Sequence, residues 1–251
     1  MAKRILITGA SGLLGRAFLA TFSADSEWET LGLAFSRAGD RLKKVDLTDP
    51  DQVAAVVREF KVYTDYVFDG TKPPYKPGDK PSPLNKYGLS KAAGEKVVTE
   101  SSPGNIVLRV PILYGMVENL DESAVTMLFS KVKDVGKPAE MNHYERRYPT
   151  LCSDVADAVR VLVNSRVKSA DLTGIFHWSG DEMMTKYNMA VTMAELFGIP
   201  TQHIIADTKP ATGAPRPFDC HLDCSRMEEL GATKRTPFKV GIKPVLERFY
   251  P

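Results

Sequence analysis

The chain has 251 residues, 43% of them hydrophobic and 25% charged, and 33 Lys+Arg against 31 Asp+Glu leave a formal net charge of +2. That length and composition suit a globular chain of one large domain or of one domain with a small lobe, and exclude an extended disordered chain. The near-neutral balance argues against nucleic acid or an anionic membrane as the partner, because both need a basic surface.

Three cysteines do not make a disulfide framework, and Cys220, His221 and Cys224 lack the second pair of ligands that a zinc site needs. They read as small buried thiols in a reducing compartment, and no metal is expected. The first apolar run is cut off by Thr8-Gly9, and no stretch reaches the roughly 18 apolar residues of a membrane span. The expectation is a cytoplasmic protein.

Ile5-Leu6-Ile7 is a fully apolar strand of the kind buried in parallel sheets. Gly9-Ala10-Ser11-Gly12-Leu13-Leu14-Gly15 follows it and opens a helix, which is the context a dinucleotide fingerprint requires. Gly9 makes the turn, Gly12 admits a pyrophosphate, and Gly15 lets helix and strand approach. Ser11, Leu13 and Leu14 complete the loop, and the helix end supplies amides to the phosphates.

A second strand is expected from Thr30 to Phe35. It ends in Ser36-Arg37, with no carboxylate to hold a ribose 2′-hydroxyl. A cation there attracts a 2′-phosphate, which predicts NADP rather than NAD, read by Arg37 and Ser36. Val45-Asp46-Leu47 reads as a third strand, with Asp46 and Leu47 near the adenine, and a helix is expected from Pro50 to about Phe60.

The run from Lys61 to Phe68 is β-branched and aromatic, hence a strand. After a proline-rich loop, Asn85-Lys86-Tyr87-Gly88-Leu89-Ser90-Lys91 opens a helix to about Glu100, placing Tyr87 and Lys91 on one face. A phenol of ordinary pKa near 10 is a poor proton donor at pH 7, and an adjacent ammonium favours its phenolate. Such a pair can pass a proton to a carbinol oxygen while hydride moves to or from a nicotinamide. Thr64 would bond the same oxygen, and Lys91 the nicotinamide ribose. A surface tyrosine beside a solvated lysine is the alternative, and the order of fingerprint, threonine and Tyr-x-x-x-Lys favours the catalytic set.

Thr64-Asp65-Tyr66-Val67-Phe68-Asp69-Gly70, Tyr87-Gly88-x-x-Lys91-x-x-x-Glu95 and Leu108-Arg109-Val110-Pro111-Ile112-Leu113-Tyr114-Gly115 resemble the dTDP-4-dehydrorhamnose reductase group of the extended short-chain dehydrogenase/reductase superfamily. Glu122 to Thr126, Phe176-His177-Trp178-Ser179-Gly180, Met184-Thr185-Lys186-Tyr187, Arg216-Pro217, Leu222 to Ser225 and Arg235 to Phe238 are similar to the regulatory beta subunits of methionine adenosyltransferase.

The resemblance implies a Rossmann-type, doubly wound parallel α/β sheet with a small C-terminal α/β substrate lobe. The NADP-binding part would be 1–115 and 150–180, and the substrate or partner lobe 116–149 and 181–251. It implies a subunit that binds NADP and a catalytic methionine adenosyltransferase subunit, and tunes S-adenosylmethionine synthesis. Pro111, Ile112 and Leu113 would border the nicotinamide, and Arg147, His177, Trp178 and Arg216 the substrate cleft. Without the family, Arg147 and Arg216 suit either an anionic ligand such as a diphosphate or plain solvent, and His177-Trp178 suits a packed core pair. Helices are expected at Ser123 to Val132, Asp154 to Asn164 and Met189 to Phe197, the last burying a Met and Ala stripe.

Two departures from the family stand out. The helix ending near Phe60 runs directly into the Val62 strand, so one βαβ unit of roughly 30 residues is missing between about 60 and 62. Either it is deleted or the sequence is incomplete. A true deletion would lower stability and cofactor affinity. The family also continues beyond Phe249-Tyr250-Pro251 with a polar and aromatic tail that engages the catalytic subunit. Two functions compete: the regulatory subunit, and a working NADPH-dependent reductase of a nucleotide-linked 4-keto sugar that uses Thr64, Tyr87 and Lys91. A disabled product of the deletion is a weaker third.

Overall fold

The computed structural model describes residues 3–34, 42–44 and 60–250. Its chain divides into two compact units, Met1–Glu59 and Phe60–Pro251.

In the first unit β1 (Lys3–Ile7), α1 (Leu13–Ser23), β2 (Trp28–Ala34) and β3 (Leu42–Lys44) follow in order, and the strands form a parallel sheet β1-β2-β3. Parallel pairing needs a crossover, and α1 supplies it between β1 and β2. The second strand begins two residues earlier than expected because Trp28 is buried against Phe22 of α1, their rings edge-to-face at 5.4 Å. The third strand lies at Leu42–Lys44. The expected strand 45–47 and most of the helix 50–60 fall outside the described residues, while Phe60 itself opens a strand.

The second unit runs β4 (Phe60–Thr64), α2 (Lys86–Ser101), β5 (Ile106–Val110), β6 (Leu113–Tyr114), α3 (Leu128–Lys133), β7 (Ala139–Asn142), β8 (Thr150–Leu151), α4 (Cys152–Lys168), β9 (Gly174–His177), α5 (Lys186–Leu196), β10 (Ile204–Asp207), α6 (Ser225–Glu228) and α7 (Phe238–Leu246). Its main sheet is parallel in the order β4-β5-β9, with β7-β10 and β6-β8 as parallel pairs. Every residue of β5 is buried, Arg109 included. Residues 45–59, between β3 and β4, are too few for a βαβ unit of roughly 30 residues.

The run expected to be strand through Phe68 stops at Thr64 and turns into a 3-10 helix, Asp65–Val67. The cause is local. The Thr64 hydroxyl accepts from the Tyr66 N–H, and such side-chain caps compete with the strand ladder. The same competition shortens the helix expected from Ser123 to Leu128–Lys133. Ser123 Oγ accepts from the Val125 N–H at 3.1 Å and Thr126 Oγ1 donates to the Leu120 carbonyl at 2.6 Å. Met189, Ala190, Met193 and Ala194 of α5 are fully buried, each methionine contributing roughly 1.5–3 kcal/mol of apolar burial.

Candidate functional site

In the first unit the glycine loop is shaped by close backbone packing. A Cβ on Gly15 would lie 2.2 Å from the Gly9 carbonyl oxygen and 2.7 Å from Ala10 Cα, so α1 sits on the turn only because position 15 has no side chain. Gly9 itself has φ +62°, and its carbonyl accepts from the Gly12 N–H at 2.9 Å. Gly12 is the N-cap of α1, no side chain caps the first-turn amides, and the first turn holds no acidic residue. Uncapped amides at a helix start fit a phosphate. Ser11, Leu13 and Leu14 are half-buried around this turn, and the Ser11 carbonyl accepts from Arg16 Nη1 at 2.8 Å. Ser36, Arg37, Asp46 and Leu47 lie outside the described residues.

In the second unit Asn85 caps α2 by accepting from the Gly88 N–H at 2.9 Å, and its amide donates to the Pro215 carbonyl at 2.8 Å. A Cβ on Gly88 would stand 2.3 Å from the Tyr66 carbonyl oxygen. The helix therefore meets the 3-10 turn at backbone contact, which brings Tyr87 edge-to-face against Tyr66 with centroids 5.9 Å apart. Lys91 Nζ lies 5.6 Å from the Tyr87 ring centroid, and Tyr87 is exposed. Thr64, half-buried, donates its hydroxyl proton to Asp65 Oδ1 at 3.2 Å while accepting from Tyr66. Pro111 is buried, and Ile112 and Leu113 are half-buried; the Ile112 and Leu113 carbonyls accept from the Thr150 N–H and Ser123 Oγ at 2.9 and 2.7 Å.

The expected cleft residues part company. Arg147 is buried, its guanidinium donating to the carbonyls of Arg146 and Pro217 at 2.6 and 3.1 Å and to the Tyr66 hydroxyl at 3.4 Å. Arg216 is exposed. His177 and Trp178 are wholly buried, and Trp178 lies under the Arg235 guanidinium at 4.0 Å.

His177 belongs to a group that sequence spacing alone does not assemble. Arg109 grips Glu95 with Nε–Oε1 at 3.0 Å and Nη2–Oε2 at 2.7 Å, and its Nη1 lies 3.2 Å from His177 Nε2. A guanidinium can only donate, so His177 Nε2 accepts and the ring proton sits on Nδ1, facing the Tyr75 carbonyl at 3.1 Å. Burial and then the Arg109 charge push the imidazole down to about 4, which keeps it neutral. Glu95 lies one helical turn beyond Lys91, so this group anchors the helix that presents Tyr87 and Lys91. The available signals were a glutamate at i+4 from the lysine and a lone arginine in an apolar strand.

Asp65 is also buried, and burial raises its carboxyl to about 6 from 3.8, with Arg147 and then the Thr64 hydrogen bond opposing the rise. The folded protein therefore binds this proton more tightly than the unfolded chain. Stability falls as pH climbs from about 4 to about 6 and stays lowered above that. Asp65→Asn is expected to gain up to about 3 kcal/mol at pH 7.5 and little at pH 4. Urea denaturation at the two pH values checks this, and equal effects at both would count against it.

Cys220 and Cys224 are buried free thiols, Cys220 Sγ facing the Phe68 carbonyl at 3.8 Å. Among the described residues no helix is long and apolar enough to cross a membrane.

Several known proteins are similar to this chain. The family of RmlD substrate binding domains matches residues 60–250, nearly the whole second unit. Methionine adenosyltransferase 2 subunit beta of Mus musculus is 42% identical over 297 aligned positions, covering 99% of this chain and 88% of that protein. Those positions exceed the 251 residues of this chain by 46, room enough for one βαβ unit in the relative alone. A dTDP-4-dehydrorhamnose reductase of Aggregatibacter actinomycetemcomitans is 26% identical over 96% of this chain and 98% of its own. The dTDP-4-dehydrorhamnose reductase of Bacillus anthracis, solved in complex with NADP, aligns over 99% of both chains with a TM-score of 0.78 at 19% identity, which establishes the Rossmann-type fold.

Proposed function

The chain belongs to the family of methionine adenosyltransferase beta subunits and to the wider RmlD group, and on that premise we propose that it is an NADP-binding regulatory subunit of a methionine adenosyltransferase. In this reading it joins a catalytic adenosyltransferase subunit in a hetero-oligomer in the cytoplasm and modulates S-adenosylmethionine synthesis without performing it. The observation that carries the reading is 42% identity across 99% of the chain.

NADP, when bound, brings a hydride carrier; the protein's part is to hold it. The uncapped start of α1 and the Gly9–Gly15 turn fit its pyrophosphate. Arg37 and Ser36 would read the 2′-phosphate, Asp46 and Leu47 border the adenine, Lys91 hold the nicotinamide ribose, and Pro111 to Leu113 flank the nicotinamide. Residues 1–115 and 150–180 would form the cofactor part, and 116–149 with 181–251 the partner lobe.

Size-exclusion chromatography of the chain mixed with the catalytic subunit and NADP tests the proposal. One larger, shared peak is expected. Separate elution of a folded chain would overturn it.

A second reading has its own support: Tyr87 and Lys91 share a helix face, Tyr87 packs against Tyr66, and Tyr66 is bonded to Thr64, so the residue types a carbonyl reductase needs are all present. Tyr87 would give its proton to the carbonyl oxygen as hydride arrives at carbon. NADPH oxidation with dTDP-4-dehydrorhamnose, on the order of 1 per second or faster and lost in Tyr87→Phe, would favour this reading over the regulatory one.

A further inference from the structure

The chain from Gly70 to Asn85 forms a strap, and one carboxylate ties its two ends. Asp69 Oδ1 accepts from the Tyr75 hydroxyl at 2.6 Å, the Thr71 hydroxyl at 2.9 Å and the Thr71 N–H at 3.0 Å. The Ser82 hydroxyl donates to the same carboxylate from the far end of the strap. The Tyr75 bond first, against the opposing effect of burial, then those of Thr71 and Ser82 hold the Asp69 carboxyl down to about 2. Asp69 is therefore ionised at neutral pH. Tyr75 stacks on Phe68 with centroids 4.1 Å apart, and its backbone bonds those of His221 and Asp223 at 2.8 Å.

Within the strap, Ser82 stands between Pro81 and Pro83. A proline fixes its own φ and lacks an N–H, and residues 80–83 belong to no helix or strand. Among the described residues the one backbone bond of this stretch runs from the Ser82 N–H to the Val67 carbonyl at 2.8 Å. Ser82 is exposed, and so are Asp79 and Lys80 before it and Leu84 and Lys86 after it. Three Ser-Pro or Thr-Pro pairs occur in the chain, and folding distinguishes them. Ser102 is half-buried, closes the end of α2 and accepts from the Gly104 N–H at 3.3 Å. Thr236 is half-buried, with its hydroxyl and its N–H both on the buried Asp154 carboxylate. Of the three, Ser82 alone offers an exposed hydroxyl on a stretch outside helix, strand and cap, the form in which a protein kinase takes its substrate.

We propose that Ser82 is a phosphorylation site for a proline-directed protein kinase, and that the phosphate unties the strap from Asp69. The site holds whether the chain regulates a partner or reduces a sugar. Ser82 Oγ attacks the γ-phosphorus of ATP, the bond to the β-phosphate oxygen breaks, and ADP leaves while the hydroxyl proton passes to the kinase's base. The product carries a charge of roughly −1.5 to −2 at pH 7 and has lost the proton that bonded Asp69. Two anions then face each other. Lys80 and Lys86, exposed on either side in sequence, draw the phosphate outward, and the Ser82 N–H leaves the Val67 carbonyl with it. The same strap leads into Asn85, whose side chain caps the helix of Tyr87, so its release reaches that helix start.

A kinase of the mitogen-activated class, acting on the full folded chain with magnesium and ATP, is the probe, and peptide mass spectrometry maps the sites. Ser82 is expected to be labelled about tenfold faster than Ser102 or Thr236, because those two must open locally first. Ser82→Ala should remove the label and leave the circular dichroism spectrum unchanged. Amide exchange over 67–84 should run about fivefold faster in the phosphorylated chain, with β5 and β9 unaltered. Equal label at the three positions, or label on the free 76–88 peptide but not on the chain, would overturn the site. Absence of label from both would do the same. A Ser82 label with unchanged amide exchange would overturn the untying of the strap.

Discussion

Replacing Glu95 with alanine is expected to lower the unfolding free energy by about 3–5 kcal/mol. The carboxylate is 4% exposed and is held by two nitrogens of an Arg109 that is itself 1% exposed. Removing it leaves a guanidinium buried between the Phe68 ring, 4.9 Å from its centroid, and a histidine that is neutral and can offer only one lone pair. Neither partner compensates a full charge. Urea denaturation measures the loss, and a cost under about 1 kcal/mol would show that water reaches Arg109.

Because the single variant can unfold outright, the double replacement Glu95→Leu with Arg109→Met supplies a second reading. It removes both charges and keeps the volume, so it should recover most of the stability, as apolar replacements of buried pairs do. The Glu95→Ala chain that remains folded should also bind NADPH less tightly. The helix carrying Lys91 and Tyr87 is tied to β5 and β9 through this group, and a helix released there no longer fixes where those side chains point.

The second large effect concerns Gly15. An alanine there places Cβ 2.2 Å from the Gly9 carbonyl oxygen and 2.8 Å from the Gly9 carbonyl carbon. Both obstacles are backbone and cannot swing aside, so either α1 or the turn must move. Calorimetry is expected to show NADPH affinity falling at least tenfold, about 1.4 kcal/mol, together with about 1–3 kcal/mol of lost stability from overpacking.

Gly12→Ala separates binding from folding. Its Cβ would be 3.3 Å from the Gly9 carbonyl oxygen, a contact that small shifts relieve, and the position is exposed. Stability should change by no more than about 0.5 kcal/mol while affinity still falls, because the new methyl group would stand where the proposed pyrophosphate meets the amides of α1. If Gly12→Ala binds NADPH as tightly as the unaltered chain, the turn does not hold the pyrophosphate.

Local sequence order determined the glycine turn between β1 and α1, the pairing of Tyr87 with Lys91 on one face of α2, and the buried Met and Ala stripe of α5. Each is set within one or two helical turns or a single strand–turn–helix, where spacing alone dictates which side chains are neighbours. The shortfall of one βαβ unit was equally visible, since chain length bounds what can be built between β3 and β4.

The tertiary structure decided the rest. Glu95, Arg109 and His177 meet because β4, β5 and β9 pair in a register that sets Arg109 beside His177, 68 positions away. Arg147 is buried because its segment is bonded to those of Met184 and Pro217, far away in sequence. Asp65 reads as an ordinary polar neighbour of Thr64, and only its burial raises its carboxyl, against the opposing Arg147 charge and Thr64 hydrogen bond. In all three cases the deciding quantity is how much water and countercharge a charged group keeps after folding. That depends on residues far away in sequence, so no local period encodes it.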